Sequence, residues 1–187
     1  MIEDGKLSAL SEYAASCLYA AISSDTGCFR FANTTPDTLR ITAELLEMGV
    51  DGADINHRLF ESKSREQIVA EGAAAERLSV YADGRVATVT FPYSLKSELS
   101  LSEEHLDTLI EIPRSLAGVE VAVAIRQPEY RGFFRVSMRS SCDFDVSAVC
   151  ALFGGGGHTR AAGCGIEAYD IWDAEKKVLD AIRKRLK

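Results

Sequence analysis

Apolar positions recur at helical spacing from Leu7 to Ser23, where Leu10, Ala14, Cys17, Leu18 and Ala21 share one stripe. The pattern predicts a helix that stops at Ser23-Ser24, then a turn at Asp25-Thr26-Gly27 and a short extended piece over Cys28-Phe29-Arg30-Phe31. Asn33-Thr34-Thr35-Pro36 reads as a helix start. The Thr35 hydroxyl can accept from a free N–H of the first turn, and the fixed φ of Pro36 suits the first helical position. Leu39, Ala43 and Leu46 form the apolar stripe of that helix, and Gly49 ends it. A short helix is expected over Asp51 to Phe60, and a longer, polar and alanine-rich one over Ser64 to Leu78.

The period then changes. Asp83-Gly84 is a turn signal, and Arg85 to Phe91 alternates as a strand. Ser102 to Ile110 reads as a helix with Ser102 as its cap. Val119, Val121, Val123 and Ile125 alternate along a second strand, with Glu120 and Arg126 on its other face. Residues 132–140 form a third strand, Asp145 to Phe153 a helix closed by glycine, and Cys164 to Ala168 a short strand. A final helix starts at Asp170 and carries Ala174, Val178, Ala181, Ile182 and Leu186 on one side. Its basic end, Arg183 to Lys187, suits the negative pole of the helix. The expected fold is α/β in two lobes: a mostly helical part over 1–62, a connector helix over 63–82, and a mixed-sheet α/β domain over 83–187.

Composition bounds this picture without changing it. The 187 residues are 47 % apolar and 26 % charged, which supports a packed core and excludes disorder, collagen-like repeats and a disulfide miniprotein. No run of 18 apolar residues exists, so no membrane helix is expected, and the first six residues lack the basic-then-apolar pattern of a signal peptide. The five cysteines form no Cys-x-x-Cys pair, and reduced thiols in a cytoplasmic protein are the expectation. Charge does change the picture. The net −7 argues against a protein that grips long nucleic acid by bulk charge. Residues 1–80 carry 7 Lys+Arg against 13 Asp+Glu, while residues 81–187 carry 14 against 15, so the second half is the better place for an anionic ligand.

The sharpest chemical feature is Gly154-Gly155-Gly156-Gly157 followed by His158. Four glycines are costly in backbone entropy, and a helix end needs one. The others make sense if a phosphate approaches bare amides, with His158 donating to the same anion; the bland alternative is a linker. In the strand before it, alternation puts Arg131, Phe133, Arg135, Ser137 and Arg139 on one face. Arginines grip phosphate and an aromatic ring can stack on a base. The same pattern also fits an edge strand kept soluble by arginines. Asp25-Thr26-Gly27 fits a plain turn or a metal-ligating aspartate at the end of an element; it follows a helix, unlike the same tripeptide of aspartic proteases. His57 and His105 have no partner at metal-ligand spacing and read as surface residues.

These residues resemble the DHH phosphoesterase superfamily, in its nanoRNase branch of bifunctional oligoribonucleases and pAp phosphatases. Asp25 through Thr35 is similar to the superfamily's fourth motif. Phe134 through Ser141, Asp145-Val146 and Phe153 through His158 are similar to its DHH-associated C-terminal domain, and Ile112 through Ala122 also looks like that branch. The resemblance covers nearly the whole chain. It implies a catalytic lobe that binds two Mn²⁺ ions (Mg²⁺ possible), a second lobe that holds the substrate, and phosphoester hydrolysis by metal-activated water.

Residue by residue, the resemblance makes Asp25 a metal ligand and assigns substrate binding to Arg135, Arg139, Ser140, Gly155, Gly156, Gly157, His158 and Arg160. The sequence contains no Asp-His-His triplet and no Asp-x-Asp on an N-terminal strand. Residues 1–62 are therefore expected to be the C-terminal part of the catalytic lobe, and 83–187 the substrate-binding domain. The chain alone is expected to bind no Mn²⁺ tightly and to be inactive as a hydrolase. Its expected partners are a short oligonucleotide, pAp or a dinucleotide, with no membrane and with a homodimer possible. The alternative is a non-catalytic nucleic-acid-binding module of the same domain type.

Overall fold

The computed structural model describes residues 11–128 and 132–186. The chain divides after Lys63 into two compact units. In the first, α1 (Glu12–Asp25) is capped by Ser11, whose hydroxyl accepts from the Ala14 N–H at 3.2 Å. The Leu7 and Leu10 part of the expected stripe lies outside the described residues. Helix α1 runs to Asp25, past the expected stop. Next come Gly27, Cys28 and Phe29, all with φ near +60°. The expected extended piece is thus a left-handed turn, stitched by Cys28 N–H to Ser23 O and Phe31 N–H to Thr26 O. The side chain of Thr26 drives this turn: its buried hydroxyl donates to Ile22 O and accepts from Phe29 N–H.

Helix α2 (Pro36–Glu47) starts as the sequence predicts. Thr35 and Thr38 exchange side-chain-to-backbone bonds in a capping box, with Pro36 at the first position. Its buried face is not the predicted one. Thr42 and Leu45 are buried, whereas Leu39 and Leu46 are about half exposed. The Thr42 hydroxyl donates to Thr38 O, so a polar residue takes a core position at no hydrogen-bonding loss. Leu45 packs with Ala15, Tyr19 and Val50. Helix α3 (Gly52–Asn56) continues into a single π turn at His57–Glu61. A Cβ at Gly52 would stand 2.5 Å from the Tyr19 hydroxyl, which in turn accepts from the Asn56 amide.

The second unit contains α4 (Arg65–Ala75), β1 (Leu78–Tyr81), β2 (Val86–Phe91), α5 (Tyr93–Glu98), α6 (Glu111–Arg114), β3 (Val121–Arg126), β4 (Phe133–Ser140), α7 (Val146–Ala151), β5 (Gly156–His158), β6 (Ala161–Glu167) and α8 (Ile171–Arg183). The strands form one sheet in the order β1-β2-β3-β4-β6-β5, parallel only between β2 and β3. Ser64, Asp145 and Asp170 cap α4, α7 and α8. Helix α4 ends before Leu78, because residues 78–81 pair with β2 through a turn whose Ala82, Asp83 and Gly84 all have positive φ. Ser102–Ile110 is not the expected helix. It holds one 3₁₀ turn, Glu104–Leu106, and the Ser102 N–H donates to His105 Nδ1, so side chains there satisfy what a helix ladder would.

Burial along the strands explains the layering. β2 and the first five residues of β3 are buried on both faces. One sheet face is covered across its width by α7 and α8, through Val121, Val123, Phe134, Val136, Met138, Val149, Val178 and Ile182. The other face is covered only over β2 and β3, by α4 and the Leu101–Ile112 segment packing on Ala87, Val89, Ala122 and Ala124. Beyond β3 that second face has no cover among the described residues. β4 is flanked by β3 and β6, so its arginines do not belong to an edge strand.

Phe134 is fully buried in the central strand β4. Phe134→Ala is expected to lower stability by about 3–5 kcal/mol, read as a shifted urea midpoint at unchanged slope.

Candidate functional site

The uncovered half-face is built by strand register. His158 of β5 lies opposite Ala161 of β6, Ala161 opposite Arg139 of β4, and Arg139 opposite Ala122 of β3. The next row on the same face is Gly156, Gly163, Ser137 and Ala124, and the third is Gly165, Arg135 and Arg126. His158, Gly156, Gly163 and Arg135 are exposed; Arg139, Ser137 and Gly165 are half-buried. A Cβ at Gly165 would stand 2.5 Å from the Phe133 ring, so that ring lies on the Gly165 backbone. Arg139 and His158 at one end and Arg135 at the other therefore flank a floor of glycine, with roughly 13 Å along β4 between Arg139 and Arg135 at about 3.3 Å per residue.

The two arginines and the histidine differ in how they are held. Among the described residues the side chains of Arg135 and His158 make no hydrogen bond or ion pair. Arg139 donates once, to Met138 O at 3.0 Å. Burial pushes Arg139 below the ordinary guanidinium value, with Arg114 adding to this and Glu111 opposing it; a guanidinium stays charged regardless. Glu111 itself is bonded to Arg114 at 2.9 Å. Arg126 faces Arg135 across the sheet, but Asp107 holds it at 2.8 Å.

The four glycines have distinct reasons. Gly154, with φ +73°, closes α7, its N–H bonding to Ala151 O while that of Gly155 bonds to Cys150 O. A Cβ at Gly155 would stand 2.3 Å from Gly163 O, and one at Gly157 2.5 Å from Ala161 O, in a backbone with φ +146°. These two let β5 close onto β6. Gly154 and Gly156 both have open space over them, but the φ of Gly154 favours glycine by itself, so only Gly156 is left without a need of its own. The linker alternative fails, since Gly156 and Gly157 are in a paired strand.

Two of the expected binding residues are placed apart from this face. Ser140 lies on the other face of β4, its hydroxyl donating to Cys142 O and accepting from Cys142 N–H. Arg160 is in the turn between β5 and β6, paired at 3.2 Å with Asp143 on the surface. Sequence reasoning missed Gly163 and Gly165, although a Gly-x-Gly step in a strand marks a face stripped of side chains. A separate pocket of about 640 Å³ touches Arg85, Glu120, Cys142, Asp143, Phe144 and Arg185. Its Arg85–Glu120 pair is already bonded at 2.9 Å.

In the first unit, Asp25 ends α1 exposed to solvent, and its Oδ2 accepts from the Asn33 amide at 2.9 Å. Among the described residues no three His, Cys, Asp or Glu side chains group to hold a metal. One carboxylate does not make a two-metal centre, so these residues alone do not fit the pair.

The second unit is thus a mixed α/β domain whose sheet is covered on one face and half-covered on the other. Residues 83–187 match the DHHA1 domain, and the chain belongs to that family. It is 35 % identical over 166 residues to the bifunctional oligoribonuclease and PAP phosphatase NrnA of Thermus thermophilus, across 88 % of this chain and 48 % of that protein. It is 29 % identical over 175 residues to a probable NrnA of Streptococcus mutans, across 91 % and 55 %. Its fold is similar to that of an exopolyphosphatase-related protein from Bacteroides fragilis, with a TM-score of 0.85 and 26 % identity, across 95 % and 52 %. The chain spans about half the length of the curated relatives it matches. Among the described residues no helix is long and apolar enough to cross a membrane.

Gly155→Ala and Gly157→Ala are each expected to cost about 1–3 kcal/mol of stability, whereas Gly156→Ala should stay within about 0.5 kcal/mol. Thermal unfolding of the three variants checks the ordering.

Proposed function

We propose that this chain is the substrate-holding part of a DHH-type phosphoesterase, and that its open sheet face grips the phosphate end of pAp or a short oligonucleotide. The observation that carries this is the row His158–Ala161–Arg139 beside the bare glycine floor, with Arg135 two rows along. Bare backbone lets a phosphate approach closely, and donors fixed on paired strands need little reordering on binding. His158 and Arg139 donate to the terminal phosphate. Arg135 meets the next phosphate, and the Phe133 ring offers a stacking surface for a base. Arg160 joins by leaving Asp143, an exposed pair worth about 0–1 kcal/mol. Ser140 acts only by shaping the turn after β4. The NrnA relatives are named for oligoribonucleotides and pAp, which fits this ligand class.

In the complete enzyme, Asp25 would supply one carboxylate to a manganese or magnesium centre whose other ligands these residues do not provide. The activity of the whole enzyme is hydrolysis of those phosphoesters; this chain alone holds the ligand without cleaving it.

Calorimetry of the chain with pAp tests the grip. Weak binding is expected, with His158→Ala and Arg139→Ala each weakening it tenfold or more at unchanged melting temperature. Wild-type protein without affinity for pAp or a dinucleotide overturns the reading. For a short oligonucleotide, the slope of log affinity on log salt should be about −2, the arginines Arg135, Arg139 and Arg160 at about 0.7 each; a much steeper slope with preference for long RNA favours a general nucleic-acid module. Mn²⁺-dependent phosphate release from pAp above a buffer control would overturn the claim that this chain does not cleave.

A further inference from the structure

We infer that Cys150 and Cys164 form an oxidisable dithiol beneath the glycine loop, and that closing it to a disulfide stiffens that loop. Cys150 lies near the end of α7 and is fully buried; Cys164 lies midway along β6, half-buried against the same apolar cluster. Gly155 is wedged against both residues. Its N–H donates to the Cys150 carbonyl at 3.0 Å, and the Cβ it lacks would stand 2.4 Å from the Cys164 Cβ. The interaction between the two thiols holds Cys164 below its ordinary value and, together with burial, pushes Cys150 well above it. The pair is therefore asymmetric: the more accessible Cys164 attacks, and the protonated Cys150 resolves.

The oxidant is a low-molecular-weight disulfide. The Cys164 thiolate attacks one of its sulfurs, forming a mixed disulfide and expelling one thiol. Cys150 then gives up its proton and attacks the Cys164 sulfur, expelling the second thiol. Two protein thiols are oxidised to one disulfide, and the reagent disulfide is reduced to two thiols. A disulfide fixes its Cβ atoms at about 3.5–4.5 Å, so the end of α7 and β6 are held at one spacing with Gly155 between them. Only the consequence for nucleotide binding rests on the function proposed above; the thiol chemistry does not.

The test treats the full chain with oxidised glutathione, alkylates remaining thiols after denaturation, and maps the peptides by mass spectrometry. The expected result is loss of two alkylatable thiols to a Cys150–Cys164 cross-link, with glutathione on the exposed Cys17 showing that the reagent acts. Hydrogen exchange at the amides of residues 154–157 should slow on oxidation and recover with reductant. Cys150→Ser should trap glutathione on Cys164, and Cys164→Ser should leave Cys150 unmodified; if either variant fails to fold, the wild-type map decides. Free Cys150 and Cys164 beside a modified Cys17 overturn the dithiol. A cross-link with unchanged exchange overturns its coupling to the loop. Neither readout uses pAp, so failure of the nucleotide reading leaves this result standing.

Discussion

Two absent side chains decide the shape of the second unit's open face. Where β5 meets β6, a methyl group at Gly155 or Gly157 would stand within 2.5 Å of a backbone carbonyl oxygen. Such a distance has no soft resolution, because the obstructing atoms belong to a paired strand. With glycine at both places β5 closes onto β6, and His158 comes into register with Arg139 through Ala161. Without that closure the histidine would sit on a loose loop and its donor would have no fixed direction. The same contact brings Gly155 against Cys164, so the loop, the sheet and the thiol pair share one packing constraint.

The second determinant is incomplete cover. On one side, α7 and α8 pack over the sheet and supply the apolar core. On the other, α4 and the Leu101–Ile112 segment stop at β3. A sheet face that emerges from under its helices would expose apolar side chains; here the sequence puts arginine, serine, histidine and glycine there instead. The switch happens along single strands. In β4 the residues facing α7 and α8 are Phe134, Val136 and Met138, and those between them are Arg135, Ser137 and Arg139. One strand serves stability on one side and ligand chemistry on the other.

That division was legible in the sequence because strand alternation has a fixed period. The β4 face, the caps at Thr35, Ser64, Asp145 and Asp170, and the glycine-closed helix follow from local rules that depend on few residues. The misses have physical causes. Thr42 is buried because its hydroxyl bonds within its own helix, which an apolar count does not register. Cys28 and Phe29 look extended by composition, yet Thr26 holds them in a left-handed turn. β1 falls in the stretch expected as connector helix, because the turn at Glu76 and Arg77 before it contains no glycine, proline or asparagine to signal it. Of the glycines, three proved necessary to the chain itself, and only Gly156 is left to be explained by something outside it. The partner strand's Gly163 and Gly165 passed unnoticed because pairing, not order in the chain, puts them on the floor.

Net charge and local charge give opposite impressions, and distance decides between them. The chain is acidic at −7, with most of the excess in residues 1–80. At physiological salt, exposed charges are screened beyond about 8 Å, so a ligand in contact with the face senses the few groups around it. Among the described residues, Arg135 there has no partner, Arg139 is bonded only to a carbonyl, and the Glu111 carboxylate near it is bonded to Arg114. A phosphate held against that face stands beside Arg135 and Arg139, whatever the net charge of the chain. The net −7 therefore does not count against an anionic ligand held at this face, because the groups within a screening length decide that contact.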